Sequence, residues 1–228
     1  MPSQRGNILF LILLAIILFV ALSYAVTSGF RNGTPDGIPK EKARSLAAQL
    51  LQNVSLIEQT IMRERTVNDV PEWGFDMKGT NVNANMNTTC TANNCRLFAG
   101  NGGQIPAILI PDWASTDTTG NIGYHSLSLP VAKVLNVGTD NIDLVIKYAF
   151  LRREVCEALN SLLGHADIDL ANNNEIWGAS DTYSGTLTSF PATVATLGDQ
   201  YAVLKGKTSF CFLHSTEGYT FVYTVMTR

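Results

Sequence analysis

Residues 8–26 read ILFLILLAIILFVALSYAV, and no charged side chain occurs between Asn7 and Phe30. An α-helix rises about 1.5 Å per residue, so this run would reach roughly 28 Å, close to the hydrocarbon thickness of a bilayer. Arg5 and the terminal amine lie on its N-terminal side, the arrangement that keeps a short N-terminal peptide in the cytoplasm and sends the rest across. The sequence therefore predicts a leader or cytoplasmic peptide over 1–6 and a transmembrane and assembly helix over 7–28. It predicts a flexible neck over 29–39 and an extracytoplasmic α+β domain over 40–228. The expected placement is single-pass in the inner (cytoplasmic) membrane.

Three fates of the apolar run are compatible with its flanks. Ser23-Tyr24-Ala25 offers small residues at the two positions a signal peptidase inspects, with cleavage between Ala25 and Val26. An uncleaved run is a plain single-span anchor. The third is a short leader ending at Gly6, with cleavage before Asn7 and retention of the apolar helix. Arg5-Gly6 followed directly by Asn7-Ile8-Leu9-Phe10-Leu11 has that third layout, and here the chain resembles type IV pilins and pseudopilins. Asn7 and Leu11 stand where those families carry Phe or Met and Glu. The resemblance implies Gly6 and Asn7 as the processing site and a helix that packs at the centre of a filament. Ile8, Phe10, Leu11, Leu14, Leu18, Ala21 and Leu22 are then its assembly residues.

Composition narrows the function classes. Beyond the first 30 positions about two hundred residues remain, enough for one well-buried domain. Charged residues are only 15% of the chain and the net charge is −3 without a basic run, which argues against nucleic acid as a partner. Four cysteines beyond an export signal read as two disulfides in an oxidising compartment.

The segment Thr27–Pro39 carries three Gly and two Pro and predicts a break between two helices. Pro39 is suited to the first position of the second helix. Ala43, Ala47, Leu50, Val54, Ile57 and Ile61 then recur at spacings of four and three, an apolar stripe that predicts a helix lying on a sheet. From Val67 to Gly103 periodicity is lost. Cys90 and Cys95, as CTANNC, form a small loop that is easily bridged. A metal site would need more ligands than one such pair supplies.

Strands are predicted over Tyr124–Val131, Lys133–Val137 and around Ile142–Tyr148, and a helix over Leu151–Leu163 terminated by Gly164. Cys156, on the apolar side of that helix, is the natural partner of Cys211. The C-terminus predicts a hairpin of Phe210–Leu213 and Tyr219–Val225, whose aromatic stripe packs on the Ala43–Ile61 helix. His165, Asp167 and Asp169, with Asn172, Asn173, Asn174 and Glu175, could offer oxygen ligands to a cation. They lack the spacing of an EF-hand and read as a polar loop.

No H-E-x-x-H, G-x-S-x-G, Walker or dinucleotide motif occurs, and His125, His165 and His214 lie far apart. The expectation is no catalytic residue, no cofactor and no metal. The fold class expected is α+β: an N-terminal transmembrane helix, a broken neck and an amphipathic helix packed on an antiparallel β-sheet, pilin-like in plan. A late antiparallel sheet behind a helix is also what the pilin resemblance implies. The function that follows is a structural subunit of a surface filament or secretion pseudopilus, its partners being its own copies, other pilin-like subunits and the membrane. The alternative is a monomeric anchored or secreted binding module.

Overall fold

The computed structural model describes residues 10, 12–21, 23, 38–76, 90, 93–98, 105–106, 127–128, 131–139, 141–170, 196–215 and 217–227. The chain forms two compact units, Met1–Lys42 and Ala43–Arg228. In the first, residues 10, 12–21 and 23 are helical. This corrects the expected transmembrane helix, because among the described residues no helix is long and apolar enough to cross a membrane. The described helical residues, 10, 12–21 and 23, fall short of the run of about twenty apolar positions that roughly 30 Å of hydrocarbon requires. The single-pass inner-membrane placement rested on that helix and is corrected with it. The apolar run was read correctly as helical at those described residues. Most of the expected neck over 29–39 lies outside the described residues.

The predicted amphipathic helix is present as α1 (Lys40–Asn68), which from Ala43 onward belongs to the second unit. Its stripe of Ala43, Leu46, Ala47, Leu50, Val54, Ile57 and Ile61 is buried, as the alternating spacing requires. One turn further on the buried position is Glu64, which is satisfied by Arg63 at 3.1 Å and by the Asn68 amide. The helix stops where Asp69 enters the left-handed region at φ 52°, and the Val70 N–H closes back on the Glu64 carbonyl at 3.3 Å.

The sheet contains β1 (Leu127–Ser128), β2 (Val131–Val134), β3 (Asp143–Leu151), β4 (Thr196–Leu197), β5 (Ser209–His214) and β6 (Gly218–Met226). Their order is β4-β2-β3-β6-β5, with β1 also paired to β3. The C-terminal hairpin is regular, from Ser209 opposite Tyr223 to His214 opposite Gly218. The expected purely antiparallel sheet is corrected to a mixed one, since β2 and β4 run parallel. A parallel pair needs a crossover connection, and β3 and the second helix, α2 (Arg153–Leu162), lie between those two strands in the chain.

β3 departs from its predicted alternation in an informative way. Asp143 and Lys147 occupy the positions expected to face solvent, yet both are buried, so the strand is covered on both faces. Each is compensated: the Asp143 carboxylate accepts from the Val134 N–H, and Lys147 Nζ lies 2.9 and 2.8 Å from the two Glu217 oxygens. The strand also runs to Leu151 rather than ending near Tyr148. Register slips by one residue between Tyr148 and Leu151, and Phe150 sits there at φ 58° with its N–H on the Glu217 carbonyl at 2.9 Å. Leu151, expected in the following helix, therefore belongs to the sheet opposite Tyr219.

The long helix is tied to β6 by the Tyr223 hydroxyl, which donates to Glu58 at 2.8 Å, and by Arg65 on Met226. Burial and the neighbouring Glu58 charge push the Tyr223 phenol up to about 12. Burial alone pushes Tyr148 further still, and its hydroxyl has no hydrogen-bond partner among the described residues. A phenol with a higher pKa folded than unfolded retains its proton longer in the native state. Its contribution is complete below the ordinary tyrosine value near about 10 and is lost as pH rises through the folded value. Urea melts are therefore expected to show stability falling between about pH 10 and 12, with a shallower fall in Tyr223→Phe. At pH 7 Tyr148→Phe, which removes an orphaned hydroxyl, should leave stability unchanged or raise it by up to about 1 kcal/mol.

Candidate functional site

A set of buried polar contacts is gathered where α2 meets β5. Val155, Cys156, Leu159 and Asn160 form the buried face of α2, which ends at Leu162. Gly164 adopts φ 77°, its N–H meets the Ser161 carbonyl at 3.3 Å, and the His165 N–H meets the Asn160 carbonyl at 2.8 Å. These paired bonds are a Schellman termination, so Gly164 ends the helix as expected. Cys156 is bonded to Cys211 of β5, with Cα atoms 5.4 Å apart. One turn along, the Asn160 side chain grips the same residue: Nδ2 donates to the Cys211 carbonyl and Oδ1 accepts from the Cys211 N–H, both at 2.8 Å. β5 ends the strand order, and Asn160 occupies the backbone groups that a further strand would use.

Cys90 and Cys95 form the second disulfide, with Cα atoms 5.7 Å apart. The loop is not purely superficial. The Asp76 N–H bonds to the Cys95 carbonyl at 2.9 Å, the Leu97 N–H to the Asp76 carbonyl at 3.0 Å, and Phe75, Leu97 and Phe98 are fully buried. Both cystines are thus formed within the folded unit, and such bonds persist in oxidising compartments.

The polar cluster after α2 is divided rather than convergent. Asp167 pairs with Lys207 at 3.0 Å, and that hydrogen bond is the main reason its carboxyl is held below its ordinary value. The Asp169 N–H donates to the Tyr201 hydroxyl, while His165 lines a cleft of about 280 Å³ with Glu157, Ser161 and Ile168. Asn172, Asn173, Asn174 and Glu175 lie outside the described residues. Among the described residues no three His, Cys, Asp or Glu side chains converge in a way that could hold a metal ion. The cleft is small by the standard of ligand pockets, and Glu157 is already engaged by Arg153 at 2.7 Å.

A different surface stands out in the first unit. Phe10, Ile12, Leu13, Leu14, Ile16, Ile17, Leu18, Phe19 and Val20 are all between 46% and 71% exposed. Successive residues turn by about 100°, so these side chains occupy every side of the helix rather than one stripe. Of the expected assembly residues, Phe10, Leu14, Leu18 and Ala21 lie on this exposed segment. Ile8, Leu11 and Leu22, and the processing residues Gly6 and Asn7, fall outside the described residues.

Sequence reasoning missed Asn160, Lys147 and Glu217. The signal for Asn160 was available, since it follows Cys156 by four positions on a helix. Lys147 and Glu217 are seventy positions apart, and no local pattern joins them. Comparison of the chain with protein families, with characterised proteins and with solved structures finds no match.

The two cystines close loops of very different length, with separations of 55 and 5 residues. Loop-closure entropy assigns about 4 kcal/mol to the first and about 2 kcal/mol to the second. Cys156→Ala/Cys211→Ala should therefore lower the urea midpoint roughly twice as far as Cys90→Ala/Cys95→Ala.

Proposed function

We propose that this protein is a structural subunit that assembles with further copies through its N-terminal apolar helix, with the disulfide-bonded α+β domain turned outward. The observation that carries this reading is the helical run from Phe10 to Val20, whose large apolar side chains are exposed on all sides. A helix with one apolar stripe can be satisfied by lying against a single surface. One that is apolar around its whole circumference needs apolar neighbours on every side, and a bundle of identical helices supplies them. Burial of a single Leu, Ile or Phe side chain contributes about 1.5–3 kcal/mol, so nine of them supply a large driving force per copy.

The resemblance of the Arg5–Leu11 layout to type IV pilins and pseudopilins supports the same reading, as does the order of apolar helix, amphipathic helix and late sheet. In that setting the two cystines are consistent with a domain exposed outside the cytoplasm. Asn160 takes up the Cys211 N–H and carbonyl on the outer edge of β5, so strand addition is blocked at that residue. The cleft at the end of α2 gives the binding-module alternative less support, because it is small and its Glu157 carboxylate is engaged by Arg153.

A charge at Leu18 places an ion at the centre of the proposed bundle, where burial without a partner is prohibitive. Leu18→Asp is expected to abolish assembly in sedimentation and negative-stain microscopy. It should leave the near-ultraviolet circular dichroism of the domain unchanged. Assemblies of normal size from this variant would rule out the helix as the contact.

A further inference from the structure

We infer that Asn160 is a positioning residue for oxidative folding: it sets Cys211 opposite Cys156 before the bond forms, and so selects that pairing among the four cysteines. Four cysteines allow three complete pairings, and Cys211 could join Cys90 or Cys95 as readily as Cys156 on composition alone. Two features of the geometry discriminate. Cys156 and Asn160 stand four residues apart on the buried face of α2, hence one above the other. Both act on one residue: Cys156 through sulfur, Asn160 through hydrogen bonds of 2.8 Å to the N–H and the carbonyl of Cys211.

Those two hydrogen bonds do not depend on the oxidation state of the sulfurs. They imitate the donor–acceptor pair that a neighbouring strand would present, and in the native register of β5 the residue they hold is Cys211. A side-chain amide that docks in this way brings Cys156 over Cys211 while both are still thiols. Asn160 is 4% exposed, so the pair of bonds is shielded from competition by water once α2 has docked.

The chemical step is ordinary thiol–disulfide exchange with a small disulfide such as oxidised glutathione. One thiolate attacks the oxidant to give a mixed disulfide and release one thiol. The second thiolate then displaces the other half, so the oxidant leaves as two thiols and one S–S bond is formed in the protein. Asn160 takes no part in electron transfer. It raises the effective concentration of one cysteine at the other and lowers that of the wrong partners.

The test is oxidative refolding of the reduced full-length chain in detergent with a glutathione redox mixture. Thiols are alkylated at intervals and disulfides mapped by mass spectrometry. Asn160→Ala should give at least a tenfold rise in chains with Cys211 bonded to Cys90 or Cys95, and a slower appearance of Cys156–Cys211. Asn160→Asp, which keeps the acceptor for the Cys211 N–H but loses the donor, should fall between. A core variant chosen from Val54→Ala and Ile57→Val to match the loss of urea midpoint of Asn160→Ala serves as the stability control, and should pair as the wild type does. If Asn160→Ala yields no folded product, Asn160→Asp is compared with its own matched control in the same way. Wild-type pairing in the Asn160 variants, or equal mispairing in the matched core variant, would overturn the proposal.

Discussion

The domain depends on the hold that α2 has on Cys211. A short helix of Arg153–Leu162 has little stability by itself, because helix nucleation is costly and ten residues give little propagation. Here it is fixed by one covalent bond and two hydrogen bonds to a single residue of β5. That attachment joins the helix to the C-terminal hairpin, and Phe221, directly across from Cys211, lies on the same face of the sheet. Along that face the strand continues to Tyr223, whose hydroxyl reaches Glu58 of the long helix. Helices α1 and α2 are thereby connected through β6.

The opposite face shows the cost of covering a central strand on both sides. Lys147, directly across from Val222, cannot reach solvent, and its ammonium is held by Glu217 from the turn between β5 and β6. The same turn supplies the Glu217 carbonyl to the bulged Phe150 and donates the Glu217 N–H to His214 Nδ1 at 3.0 Å. An unpaired buried ammonium would be far costlier than this pair, so the turn is constrained by charge as well as by backbone geometry.

Local signals proved legible where one period dominated. The spacing of Ala43 to Ile61 identified the long helix, Gly164 its successor's end, and the alternation of Tyr219 to Val225 the last strand. Both disulfide partners could be named from proximity in the chain and from the apolar position of Cys156. What was illegible depended on long-range pairing. The parallel contact of Val134 with Leu197 spans more than sixty residues, and the burial of Asp143 and Lys147 follows from packing on a face that alternation assigns to water. The expected transmembrane helix is a separate case: an unbroken apolar run marks helical preference, and among the described residues no helix is long and apolar enough to cross a membrane. The apolar residues from Phe10 to Val20 were visible from the first stretch read, and the structure adds that those described there are exposed.

The assembly account rests on what surrounds those residues in the native particle. The most direct measurement is site-specific photo-crosslinking from Ile16, introduced in the full-length chain and irradiated in its native source fraction. The account predicts a ladder of covalent multimers whose cross-links map to positions 10–23 of other copies. Adducts confined to single chains, or to a different protein in a fixed ratio, would contradict it.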